Sequence, residues 1–148
     1  MHKWDEKKWK DIVKDSLASL ARTLSKIAQD ICLYLSQSFN FISFPDFLTT
    51  GSSIMPHKKN PDVFEIIRAK CNSISSLPNE ISLIVSNFCS GFHRDFQIIK
   101  ERFLPVFDEL KKCFSIFRYM LNHIVVRKDI LFREAYQKMA TDIFKMDI

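Results

Sequence analysis

An all-α fold is predicted by three features of this 148-residue sequence. It holds only two Gly and five Pro, too few for a sandwich or barrel that turns about every ten residues. Its first third carries Val13, Leu17, Leu20, Leu24, Ile27 and Ile31 at alternating spacings of four and three, the seam of helices packed side by side. Hydrophobic residues make up 47% of the chain, enough to build a core and to exclude disorder.

The seam places the first helix from about Trp4 to Ser36, a rod approaching 50 Å at about 1.5 Å per residue. The stretch "SFNFISFPDF" follows, in which Phe39, Phe41, Phe44 and Phe47 recur without helical period and Pro45 lacks a donor, so a loop tucked against apolar surface is expected. A second helix starts at Asp62, after Asn60-Pro61, and puts Phe64, Ile67, Cys71 and Ile74 on one stripe. Pro78 ends it and opens a third, because proline suits a first turn and not an interior. A loop at "CSGFHRD" leads to a long helix from Asp95, with Ile99, Phe103, Phe107, Leu110, Phe114, Phe117 and Leu121 as its stripe and a kink expected at Pro105. A short helix from about Asp129 runs into the C-terminus. No repeat, low-complexity tract or linker divides the chain, so residues 1–148 are expected to form one helical-bundle unit.

The formal charge of +5 arises from Lys and Arg scattered among acids, with Lys7, Lys8 and Lys10 the densest cluster. That pattern reads as a solvated helix face, and no nucleic-acid partner is expected. Cys32, Cys71, Cys89 and Cys113 lie far apart without a C-x-x-C pair or a histidine at zinc spacing, so reduced, buried thiols in a cytoplasmic protein are expected and no metal. No segment reaches about 18 uncharged apolar residues and the N-terminus has no apolar leader core, so neither membrane insertion nor export is expected.

One loop carries chemistry. In "TTGSSIMPHKKNPD", Gly51 is one of the two glycines, and two serines after it form a hydroxyl-rich turn whose amides can face an anion. Lys58, Lys59 and Asn60 set cations and an amide donor just before the helix at Asp62, whose N-terminus adds positive potential. Such a loop suits a carboxylate.

"GSSIMPHKKNP" at 51–61 closely resembles the G-S-S-x-M-P-x-K-x-N-P signature of the fumarase/aspartase superfamily. Continued through "DVFEIIRAK", it is most similar to argininosuccinate lyases, which read G-S-S-x-M-P-Q-K-K-N-P-D and then E-L-x-R-x-K. "LSKIAQDI" at 24–31 resembles that family's "LSRLAEDL", "FPD" its "LPD", "GFHRDFQIIK" its Y-N-R-D-x-Q-x-x-K loop, and "MATDIF" its "LATDLA". The resemblance covers almost all of the chain, while the chain covers only part of the family, whose members continue at both ends. A long-helix bundle of the fumarase/aspartase type, truncated at both ends, with the signature loop at 49–61, is therefore expected.

The resemblance implies a function as well: anti-elimination of argininosuccinate to arginine and fumarate in arginine biosynthesis, without organic cofactor or metal. The hard step removes a proton beside a carboxylate and leaves a doubly charged aci-carboxylate, so preorganised cations and donors must hold the developing charge. By position, Ser52 matches the catalytic base, its oxyanion needing Lys58, nearby amides and closure of the glycine-hinged loop. Ser53, Lys58 and Asn60 match substrate-binding positions, as do Gln97 and Lys100 in the second patch. Glu65 matches the glutamate that orients a catalytic histidine, and that histidine belongs to a family segment outside this sequence. Phe92 replaces the family's tyrosine and His57 its glutamine. The resemblance also implies a homo-oligomer, a tetramer in the family, and a polypeptide inactive by itself. Two alternatives stay open: a sister lyase acting on adenylosuccinate, aspartate or fumarate, and a non-catalytic bundle that uses its helices only for assembly.

Overall fold

The structure, a computed structural model, describes residues 3–51, 59–87, 94–130, 133 and 137, with side chains from residue 12 onward and excluding that of Lys59. Four helices dominate it: α1 (Lys3–Leu35), α2 (Asp62–Ser75), α3 (Leu77–Ile84) and α4 (Asp95–Leu121). The all-α expectation holds, and the boundaries of the helices fall within a residue or two of those read from periodicity.

α2 is the centre of the packing, with its most extensive contacts against α1 and further contact to α4. The predicted stripe of Phe64, Ile67, Cys71 and Ile74 is buried in full. Opposite it, α1 presents Leu17, Leu24 and Ile31 as predicted, interleaved with Ala18, Ala21 and Ala28, which are completely covered. Side chains this small let two helix backbones approach closely, and the seam shifts toward them. Leu20 and Ile27, expected in the seam, are half exposed as a result.

α4 shows the same kind of correction. Its buried face is Ile99, Phe103, Val106, Leu110, Cys113, Phe117 and Met120, while the expected Phe107, Phe114 and Leu121 stand beside it, about two-fifths exposed. The helix runs through Pro105. Phe117 meets Phe64 edge-on, with ring centres 5.8 Å apart and planes at 88°, and this pair joins α4 to α2.

Two minimal antiparallel ladders punctuate the helices. β1 (Ile42–Ser43) pairs with β4 (Val125–Val126), and β2 (Thr50–Gly51) pairs with β3 (Lys59–Asn60). The phenylalanine-rich segment is thus more ordered than a plain loop. After the turn that follows α1, Asn40 takes φ 51°, a left-handed conformation that asparagine tolerates, and its N–H donates to the Ser36 carbonyl at 2.8 Å. β1 follows, then a 3-10 turn over Asp46–Leu48. Phe44 is buried against Phe64 at 5.4 Å, whereas Phe47 is largely exposed. The backbone is helical again at 128–130, 133 and 137, consistent with the short final helix. Among the described residues no helix is long and apolar enough to cross a membrane.

Cys71 and Cys113 are buried and free, facing each other between α2 and α4, and Cys32 is half-buried. Cys89 lies outside the described residues. Burial, with the neighbouring Cys113 adding to it, pushes the Cys71 thiol up to about 12 from its usual 9.0. The folded state therefore holds this proton more tightly than the unfolded chain does. The stability so contributed is complete below pH 9.0 and is lost as pH rises toward 12. Urea midpoints measured at intervals of about one unit from roughly pH 8 to 11, which covers the lower part of that window, should fall more steeply for the native sequence than for Cys71→Ala. Parallel pH profiles would show that Cys71 contributes nothing to alkaline unfolding.

Candidate functional site

The base of the signature loop is locked by backbone and side chain together. Thr50 pairs with Asn60 and Gly51 with Lys59, so the chain entering residue 52 and the chain leaving residue 58 lie side by side. Thr50 Oγ1 donates a hydrogen bond to the Asp62 carboxylate in the first turn of α2, which ties the ladder to the helix. Pro61 opens that helix, its carbonyl accepting from the Phe64 N–H at 2.8 Å and the Glu65 N–H at 3.1 Å. Gly51, expected as a hinge, is the last paired residue on the entering side.

Behind the ladder lies a cleft of about 580 Å³, the size of a small-molecule site. The C-terminal end of α1 supplies Cys32, Ser36 and Gln37 to it. β1 and its flanks supply Asn40, Ser43 and Phe44, the ladder supplies Asn60, and the residue before it supplies Thr49. Glu65 enters from α2 and Arg127 from the residue after β4. Arg127 is held at its backbone, where its N–H donates to the Phe41 carbonyl at 2.8 Å.

The electrostatics of this wall are mixed. Burial is the main force raising the Cys32 thiol above 9.0; the Arg68 guanidinium draws it back, and the Glu65 carboxylate pushes it further up. Glu65 therefore acts on the wall of the cleft as a negative charge. Arg68 is turned toward α1, donating to the side-chain oxygen of Gln29.

Of the residues named from sequence, the structure brings Asn60 and Glu65 together in this cleft. Gln97 and Lys100 stand exposed on the first two turns of α4 and do not line it. Ser52, Ser53, His57, Lys58 and Phe92 lie outside the described residues, as does the "MATDIF" stretch. Sequence reasoning missed Arg127, Cys32 and the tie between Thr50 and Asp62. Only the last had a local signal, a threonine beside the ladder and an acid at the helix start. Arg127 reaches the cleft through the pairing of β1 with β4, which no local pattern encodes.

Comparison with known proteins fits this geometry. Residues 12–75 match the Lyase family. The argininosuccinate lyase of Bacteroides fragilis is 49% identical over 151 aligned residues, covering 86% of this chain and 34% of the relative. Over most of its own length the chain is similar to argininosuccinate lyases. Another such relative is the argininosuccinate lyase of Parabacteroides distasonis, 55% identical over 121 residues and covering 82% of this chain and 27% of that protein. That of Ehrlichia chaffeensis is 39% identical over 121 residues, covering 80% and 25%. A crystal structure titled fumarate lyase:delta crystallin from Brucella melitensis bound to cobalt shares the fold, with a TM-score of 0.73 at 22% identity over 81% of this chain and 27% of that one. The chain spans about a third of the length of the curated family members it matches.

Proposed function

We propose that this polypeptide carries the signature-loop part of an argininosuccinate lyase, the carbon-nitrogen lyase that splits argininosuccinate into arginine and fumarate in arginine biosynthesis. The observation that supports it most is the position of Asn60 and Glu65, two residues of the signature stretch, on one cleft directly behind the ladder that closes the loop. In this reading Ser52, as its oxyanion, takes the proton from the carbon beside a substrate carboxylate. The electron pair left on that carbon is delocalised into the carboxylate, and Lys58, Ser53 and Asn60 hold the charge. Collapse of the aci-carboxylate forms the fumarate double bond and expels the guanidino nitrogen of arginine. Glu65 orients a catalytic histidine, and Gln97 and Lys100 bind the substrate from the second patch. The working enzyme is a cytoplasmic homo-oligomer, in which the exposed face of α4 that bears Gln97 and Lys100 meets the cleft of another copy.

Titration with fumarate tests this reading. Backbone amide resonances of Gly51, Asn60 and Glu65 should shift with roughly millimolar affinity, about 4 kcal/mol of binding from a few exposed charged contacts. The amides of Lys7 to Lys10 should respond less, and Lys58→Ala should abolish the response. Turnover of argininosuccinate, followed through the ultraviolet absorbance of fumarate, should be absent for the 148-residue polypeptide by itself. Equal shifts at the loop and at Lys7 to Lys10 would reduce the response to attraction by a basic protein and overturn the reading.

A further inference from the structure

Outside the cleft, the core holds two thiols that the elimination chemistry does not use. α2 and α4 meet in opposite senses: Phe64 packs on Phe117 with ring centres 5.8 Å apart, and about two turns further along α2 Lys70 pairs with Glu109 at 3.6 Å. This register sets Cys71 of α2 against Cys113 of α4. Both are free; they are 0% and 2% exposed, and a hydrogen bond joins the two thiols. A recess of about 250 Å³ opens on the same seam, with Ile74 of α2 and Val106 and Glu109 of α4 in its wall. Ile74 and Glu109 lie one turn from the two cysteines, so small solutes come close to the pair while the packed core excludes bulky ones.

We propose that Cys71 and Cys113 are a site of reversible covalent modification, oxidised by a small hydroperoxide to a disulfide that ties α2 to α4. The chemistry proceeds in two steps. The thiolate of one cysteine attacks a peroxide oxygen; the O–O bond breaks, hydroxide leaves and takes up a proton to become water, and the sulfur becomes a sulfenic acid. The thiol of the other cysteine then attacks that sulfur, forming the S–S bond and expelling a second water. Two thiols thus lose two protons and two electrons, and one hydrogen peroxide becomes two waters. The neighbour decides the product. A sulfenic acid by itself is open to further, irreversible oxidation, whereas here the second thiol stands in contact and captures it. Burial sets the timing. With the Cys71 thiol held up at about 12, the closed pair contains almost no thiolate, so attack waits for a local separation of α2 from α4 in which the thiol returns toward its ordinary 9.0. When the helices close again, the bridge forms and records the opening. It then fixes the helix that carries Glu65 to the one that carries Gln97 and Lys100.

Treatment of the folded 148-residue chain with hydrogen peroxide, followed by alkylation of the remaining thiols and peptide mass mapping, tests the proposal. Cleavage after Lys, Arg and Glu puts Cys71 on residues 71–80, apart from Cys89, and Cys113 on residues 113–118. These two peptides should appear joined, lighter by two hydrogens than their sum, and should separate on reduction with dithiothreitol. Urea too dilute to unfold the chain should speed the joining severalfold, because it raises the open fraction. The oxidised chain should unfold at a higher urea midpoint than the reduced one, since the bridge constrains the unfolded chain between residues 71 and 113. Cys71→Ala and Cys113→Ala should each lose both the joined peptides and the rise in midpoint, with far-ultraviolet circular dichroism checking that each variant is folded. Recovery of Cys71 and Cys113 as free thiols, or as separate sulfinic acids, from chains in which Cys32 is already oxidised overturns the proposal. So does a joined pair that lowers the midpoint, because the folded register would then not accommodate the bridge.

Discussion

Phe64→Ala is expected to remove about 3–5 kcal/mol of stability, the usual cost of truncating a fully buried phenylalanine. Its side chain is 0% exposed, and it bridges three parts of the fold: its own helix α2, Phe44 after β1, and Phe117 on α4. The cavity cannot close easily, because α1 already packs tightly on the other contacts of α2 through Ala18, Ala21 and Ala28. Against a typical domain stability of about 5–15 kcal/mol, the loss leaves little margin. Urea unfolding should show a midpoint far below that of the native chain with the slope unchanged. Ile66→Ala is the control, since Ile66 lies two residues away on the same helix and is 56% exposed; its cost should stay within about 0.5 kcal/mol. Equal midpoints for the two variants would mean that the contact between α2 and α4 does not hold the fold. The prediction bears on the site too, because Phe64 precedes Glu65 and fixes the turn from which that carboxylate enters the cleft.

The same helix shows what could be read from sequence. The stripe of Phe64, Ile67, Cys71 and Ile74 was legible because a local 3.6-residue period carried it and Asn60-Pro61 and Pro78 marked its ends. The seam of α1 was half legible, since a count of large apolar residues favours Leu20 and Ile27 over alanines. The packing instead favours the face where backbones approach closest. In α4 two candidate stripes run one residue apart, Phe103 to Phe117 through Val106 and Cys113, and Phe107 to Leu121 through Phe114. Hydrophobicity alone cannot rank them. The site was legible as a motif and not as a place. Asn60 and Glu65 were named from the signature, but the cleft they share is closed by β1 and β4, two residues each and joined across most of the chain. Arg127 had no local mark at all.

The stripes that lost that competition lead to the second large effect, on mass. Leu20, Ile27 and Tyr34 on α1 repeat every seven residues and stay exposed; so do Phe107, Phe114 and Leu121 on α4. A seven-residue apolar repeat on each of two long helices is the pattern of a helical interface, and apolar stripes this long are unusual on a monomer. A groove of about 390 Å³ runs beside Phe107, Leu110 and Phe114, with Leu17 of α1 on its other side, and offers a recess for side chains of a partner helix. The partner of matching chemistry is another copy of the same chain, whose α1 and α4 present the same repeats. Light scattering after size exclusion should therefore give at least twice the monomer mass of 17.4 kDa. Phe107→Glu combined with Phe114→Glu should return the chain to 17.4 kDa, because two buried carboxylates without partners cost more than the interface gains. Both substitutions fall on exposed positions, so the helical circular dichroism should survive them. A native chain that stays monomeric over about a tenfold concentration range would place these stripes in contact with water and remove the basis for assembly through α1 and α4.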